Sequence, residues 1–168
     1  MAETEPAWNA FQEAAAALAE PGQPKPVFAA IERATRRLIG HRLFTLLICH
    51  HAAGEVERIY TSQPESYPLA GRKLMGPTPW GDRVLKRGEH YLARSDADIR
   101  WAFPDHALIR SLGCGACINL VVAHDGAVLG TVNILDAEHA YDAADLALVA
   151  PFAALLIPAF QRIAGAPP

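Results

Sequence analysis

Residues 116–123 read ACINLVVA, residues 124–126 HDG, and residues 127–135 AVLGTVNIL. Two apolar runs on either side of Asp125-Gly126 are the strongest short-range hairpin signal, because Asp-Gly supplies the positive φ angles that a two-residue turn requires. Such a turn pairs His124 with Ala127. Carried along both strands without interruption, it pairs Asn119 with Val132. Cross-strand partners share a face. This register therefore puts Cys117 and Asn119 with Val128, Gly130, Val132 and Ile134, and it puts Thr131 and Asn133 on the other face with Ile118 and Leu120. The two asparagines are expected on opposite faces.

The pattern outward from this hairpin alternates between helical and strand periods. Downstream, Asp142 and Asp145 open a long helix through Ile163 that has no charge from Leu146 to Phe160. Upstream, Trp8, Phe11, Ala15 and Leu18 recur at helical spacing, which predicts a helix over 6–20. Pro21-Gly22-Gln23-Pro24 ends it. A second helix follows from about Pro26 to Ile39, closed by Gly40. Leu43 to Cys49 reads as a buried strand. Val56 to Thr61 alternates as its partner, with Val56, Arg58 and Tyr60 on one face. Residues 62–79 hold four prolines and two glycines, a density of breakers under which no regular element is expected. Short elements follow: a helix over 79–86, a strand at Tyr91-Leu92, and a helix over 97–112 broken near Pro104. The order is that of an α+β domain with helices on both faces of an antiparallel sheet.

Composition limits the function classes. The chain has 168 residues, is 51% hydrophobic and 20% charged, and carries a net charge of −3 with scattered Lys and Arg. That fits one domain with a substantial core. Nucleic acid and membrane surfaces are not expected partners, since either needs a concentrated basic face. The acidic start MAETEPAW lacks the features of a signal peptide. The uncharged run 146–160 is shorter than a bilayer span and contains Pro151 and Pro158. Three cysteines, an odd number, are read as reduced thiols in the cytoplasm.

The stretch from Cys117 to Val122, the turn at 124–126, Leu129-Gly130 with Asn133-Ile134-Leu135, and Tyr141 with Asp145 before an apolar helix together resemble a GAF domain. The resemblance covers about residues 26–160. It implies a PAS-related antiparallel sheet with the terminal helices on one face and a pocket of loops and short helices on the other. On it the chain divides into an N-terminal helix and linker (1–25) packed on the domain, a GAF-like domain (26–163) and a disordered tail (164–168). GAF domains are mostly ligand-binding modules, which implies a sensor or regulatory module without an output domain of its own. Competing expectations are a small enzyme on the same fold, haem-bound or thiol-based, and a subunit that binds another protein.

The candidate site follows from the covering segment. Tyr67, Trp80, Tyr91, Trp101 and Phe103 all fall between residues 62 and 112. Aromatic lining with a few polar groups is what small-molecule pockets look like. The bland alternative is a satellite core under a long loop. Tyr60, Cys117, Asn119 and Asn133 are candidate contacts from the strands, and His106 and Arg110 from the last short helix. Arg58 and Arg72 are further candidates for pairing a carboxylate or phosphate. No cofactor or metal is expected, with haem on His106 or His90 carried as the alternative. Cys114-Gly-Ala-Cys117 spells CxxC, but a single such pair falls short of a zinc site, and buried small hydrophobes are the plainer reading. The terminal helices are expected to form a homodimer. An apolar helix on one face of a sheet has more surface than one partner covers.

Overall fold

A computed structural model describes residues 4–69 and 71–165; the expected tail lies partly outside them, at 166–168. The elements in chain order are α1 (Thr4–Ala16), α2 (Lys25–Ile39), β1 (Leu43–His50), β2 (Glu55–Thr61), β3 (Lys73–Leu74), β4 (Tyr91–Ala93), α3 (Asp96–Ala102), α4 (His106–Ser111), β5 (Ala116–His124), β6 (Ala127–Asp136), α5 (Ala143–Val149) and α6 (Ile157–Ile163). A π-helical turn, Gly81–Lys86, precedes β4, and a tight 3-10 stretch, Ala150–Leu156, joins α5 to α6. The six strands form one antiparallel sheet in the order β3-β2-β1-β6-β5-β4. β3 has only two residues and lies in the segment where breakers led us to expect none. It forms because Lys73 and Leu74 pair with Val56 and Glu55 at the sheet edge.

Both sheet faces are covered, so β1, β5 and β6 read as near-continuous apolar runs. Phe44, Leu46 and Ile48 of β1 join Ile118, Leu120, Val132 and Ile134 on one face, against Phe28, Ile31, Phe152, Leu156 and Phe160 of the terminal helices. Leu43, Leu47 and Cys49 join Cys117, Val121 and Leu135 on the other face, under Tyr67, Trp80, Val84 and Ile109.

Two β-bulges correct the register expected from alternation. The turn pairs His124 with Ala127 as expected and Ala123 with Val128, but Val122 then pairs with Gly130, which leaves Leu129 without a partner. From there Asn119 stands directly opposite Asn133, and Cys117 opposite Leu135. The asparagines therefore share a face, contrary to the uninterrupted register, because one extra residue turns the rest of β6 over. The second bulge lies in β2. Leu46 pairs with Tyr60 and Leu47 with Arg58, so Ile59 is the extra residue. Arg58 and Val56 keep the loop-covered face. Tyr60 is turned to the helix face, where it packs on Phe28 and Phe44 and donates its hydroxyl proton to Glu32 Oε2 at 2.5 Å.

The helix ends follow the sequence signals. Asp142 accepts from the backbone N–H groups of Ala144 and Asp145, and Asp145 accepts in return from the Asp142 N–H. Tyr141 is buried just before this cap, and its hydroxyl donates to the carbonyl of Gly40 at 2.8 Å, tying α5 to the end of α2. Pro151 and Pro158 do not stop the helical path. Each sits in the first turn of its segment, where no N–H partner is lost. The apolar helical run is therefore Ala143–Ile163, 21 residues, which by length and composition could span a bilayer; about a third of its most apolar window is buried in the domain. Of the stripe expected for the first helix, Phe11 and Leu18 pack on the domain beside the buried Ala10, Ala14 and Ala17, while Trp8 stays 58% exposed and stacks on Phe11.

Gly130 sits where β6 passes between β1 and α6. A Cβ there would run into the Leu47 carbonyl oxygen and lie 2.6 Å from the Phe160 ring. Gly130→Ala should lower the unfolding free energy by about 2–3 kcal/mol through overpacking. A urea midpoint equal to that of the parent chain would show that β1 and α6 do not close on this residue.

Candidate functional site

Register places one polar row across the loop-covered face. Tyr91 of β4, Asn119 of β5, Asn133 of β6, Thr45 of β1 and Thr61 of β2 are successive cross-strand partners. Asn119 is fully buried, and Thr45 and Asn133 are nearly so. Such groups cost free energy unless hydrogen-bonded, and here they bond one another. Asn119 Nδ2 donates to Asn133 Oδ1 at 2.6 Å, and Asn133 Nδ2 donates to Thr45 Oγ1 at 3.1 Å. The remaining Asn119 oxygen capacity takes the Trp80 indole N–H at 3.0 Å. At the end of the row, Thr61 Oγ1 donates to the Tyr67 carbonyl at 2.8 Å, which anchors the covering loop.

Above this row lies a cavity of about 120 Å³ between β1, β2, β6 and the covering segment. Leu47, Val56 and Leu135 line it from the sheet, and Trp80, Ala102, Phe103 and Ile109 line it from above. Thr45 and Asn133 form its polar floor. Pockets for drug-sized ligands run to roughly 300–1,000 Å³, so this one suits a small metabolite. Its rim is charged: Arg58, Lys73 and Asp105 all line it. The Arg58 guanidinium lies over the Tyr67 ring, 3.7 Å from the centroid, and donates to the Pro68 carbonyl. The Tyr67 hydroxyl donates to Asp105 Oδ2 at 2.6 Å. Burial, then the Asp105 hydrogen bond, raises the Tyr67 pKa, so the phenol stays protonated.

The expected site residues separate into three groups. Tyr67, Trp80, Phe103 and Asn133 line the cavity. Asn119 is one hydrogen bond behind it, and Cys117 is fully buried on the same face without reaching it. The rest are elsewhere. Tyr91 packs under Trp101, ring centroids 5.4 Å apart, and Trp101 itself is 48% exposed. Arg110 is exposed and pairs with Asp96 at 3.6 Å. His106 Nδ1 lies 3.2 Å from the Phe103 carbonyl. His90 Nδ1 accepts the Val121 N–H at 3.0 Å, and burial lowers its pKa. Neither histidine lines the cavity. Tyr60 is on the opposite face, as the β2 bulge requires.

Alternation and aromatic content did not identify Thr45, Lys73 or Asp105. Thr45 carries a faint signal, being the one hydroxyl residue in the apolar run of β1. The thiols are buried. Burial pushes Cys114 up to about 11 and Cys49 up to about 12, and raises Cys117 as well. At neutral pH all three are protonated and poor nucleophiles.

No protein-family model and no curated protein matches the chain. Solved structures do. The GAF domain of a phosphoenolpyruvate-protein phosphotransferase from Coxiella burnetii is 19% identical with a TM-score of 0.73, over 98% of this chain and 97% of that one. The GAF domain of a two-component sensor histidine kinase from Bacillus halodurans is 10% identical with a TM-score of 0.69, over 84% and 95%. Free methionine-R-sulfoxide reductase from Neisseria meningitidis, in complex with its substrate, is 15% identical with a TM-score of 0.68, over 90% and 86%. The fold is GAF-like.

The Asn119–Asn133 bond can be measured by a double-mutant cycle. Asn133→Leu alone should cost about 2–3 kcal/mol, because it strands the Asn119 amide in the interior. Combined with Asn119→Leu, the coupling should be about 1 kcal/mol or more. Strict additivity would show that the two amides do not bond.

Proposed function

We propose that the chain is a small-molecule-binding sensor or regulatory domain of the GAF type. The cavity over the asparagine row carries this reading. It combines an apolar body, a floor with fixed hydrogen-bond capacity, and a charged rim, the combination expected of a metabolite site. The domain from the sensor histidine kinase is a regulatory precedent on the same fold. The reductase is an enzymatic precedent, but the buried, protonated thiols here do not favour a cysteine-based reaction. The seat of Phe152, Leu156 and Phe160 in the core favours a soluble domain over a membrane-spanning one.

Ala102 lines the cavity and is otherwise buried, so Ala102→Leu should fill part of it without new charge. A panel of free amino acids, 2-oxo acids and purine nucleotides is screened by thermal shift and by Trp80 emission. A binding compound at 100 times its Kd should add about 2.7 kcal/mol of stability. Both signals should be lost in Ala102→Leu. Binding that survives the filling would place the site elsewhere.

The same reading includes a homodimer through the terminal helices. Ala147, Leu148, Pro151, Ala154 and Pro158 form an exposed, uncharged strip along α5 and α6. A second copy presenting the same strip covers it by two-fold pairing, the commonest form of association. Sedimentation equilibrium at micromolar concentration should give a dimer, and Leu148→Asp with Ala154→Asp should give a monomer. A parent chain that stays monomeric refutes the pairing.

A further inference from the structure

We infer that the cavity takes the zwitterion of a free α-amino acid with an apolar side chain, an inference that rests on the ligand-binding reading above. The ground is an opposite-charge pair that is held apart. Arg58 and Asp105 line one small cavity, yet among the described residues neither forms an ion pair. Tyr67 keeps them separate. Its ring face holds the guanidinium at 3.7 Å, and its hydroxyl holds Asp105 Oδ2 at 2.6 Å.

Each charged side chain lines the cavity and retains hydrogen-bond capacity beyond the bonds it makes. Asp105 stands at the N-terminal cap of α4, where a carboxylate ordinarily accepts N–H groups of its own first turn. Here it makes no cap bond and goes to Tyr67 instead. Arg58 has five N–H donors, and one goes to the Pro68 carbonyl. Lys73 adds a second cation at the same mouth.

A cation held over the face of one ring and an anion held at its hydroxyl complement a ligand whose own charges sit on neighbouring atoms. The α-carboxylate goes to Arg58 and Lys73, and the α-ammonium goes to Asp105. The side chain then enters the apolar body between Leu47, Leu135, Ile109 and Phe103. A simple carboxylate or a phosphate ester leaves Asp105 facing an anion, and a simple amine leaves Arg58 facing a cation. A cavity of about 120 Å³ accommodates an aliphatic or phenyl side chain and excludes a nucleotide.

The test titrates matched probes by calorimetry into the full chain. L-Leucine is compared with 4-methylpentanoate and 3-methylbutylamine, and L-phenylalanine with 3-phenylpropanoate and 2-phenylethylamine. At least one amino acid should bind tenfold or more tightly than both of its truncated analogues. Asp105→Asn should erase the preference for the amino acid over the acid, and Arg58→Gln the preference over the amine. Far-UV circular dichroism and the probe-free Tm confirm that each variant is folded. An acid or amine that binds as tightly as its parent overturns the zwitterion, and so does a preference that both variants leave intact. Xenon, an uncharged probe, separates this from the cavity itself through the Ile109 methyl resonance. Xenon at Ile109 with no amino acid bound at millimolar concentration overturns the ligand class and leaves the cavity reading standing. Neither xenon nor any probe bound overturns both.

Discussion

A carboxamide with no water to bond must find its partners inside the protein, and the sheet is built around that requirement. Asn119 and Asn133 lie in the middle of β5 and β6, in an otherwise largely apolar cluster. Asn119 alone would leave a buried donor unpaired, and Asn133 alone a buried acceptor. Opposite one another, they close a chain that runs from the Trp80 indole to Thr45. That chain fixes the rotamers of the floor and holds Trp80 down over it. The cavity exists because the indole is bonded above the floor rather than packed into it.

The hairpin at Asp125-Gly126, the cap formed by Asp142 and Asp145, and the two helices before β1 were legible because each rests on a local rule. What is bulged was not. Ile59 is an ordinary strand residue with no glycine or polar mark, and Gly130 beside Leu129 is a strand glycine that fits a bulge or a close backbone approach equally. What selects a bulge there is the pairing of the amides and the burial of Tyr60 against Phe28, and both depend on residues distant in sequence. Alternation consequently sent Asn133 and Tyr60 to the wrong faces. The site was legible in the same uneven way. Aromatic content in the covering segment pointed to Tyr67, Trp80 and Phe103. It pointed equally to Trp101, which stacks outward on Tyr91, because composition carries no information about which side of a short helix faces in. Asp105 drew no reading from the sequence, and only the position of Tyr67 shows that its carboxylate leaves the cap of α4 for the covering loop.

The two sides of the sheet use opposite packing chemistry. The helix side is a dry core of large apolar side chains, with Gly130 allowing Phe160 to close on β6. The loop side interrupts its apolar cluster with the amide row and leaves a void above it. Rigid support beneath an adaptable cover is a sound arrangement for recognition, since the floor keeps its geometry while the loop and short helices adjust to an occupant.

The bulge at Leu129 also bears on how such a chain can diverge. Removing that one residue would restore plain alternation and still leave Asn133 opposite Asn119, because Leu129 is the one position without a cross-strand partner. A second loss, or a gain with no further bulge, would turn Asn133 to the other face, while most side chains around it can be exchanged. Drift in this hairpin therefore proceeds mainly by replacement, with one residue of slack in its spacing. A likeness of fold that spans 98% of this chain and 97% of another at 19% identity is carried in the same way, by the spacing of residues more than by their identity.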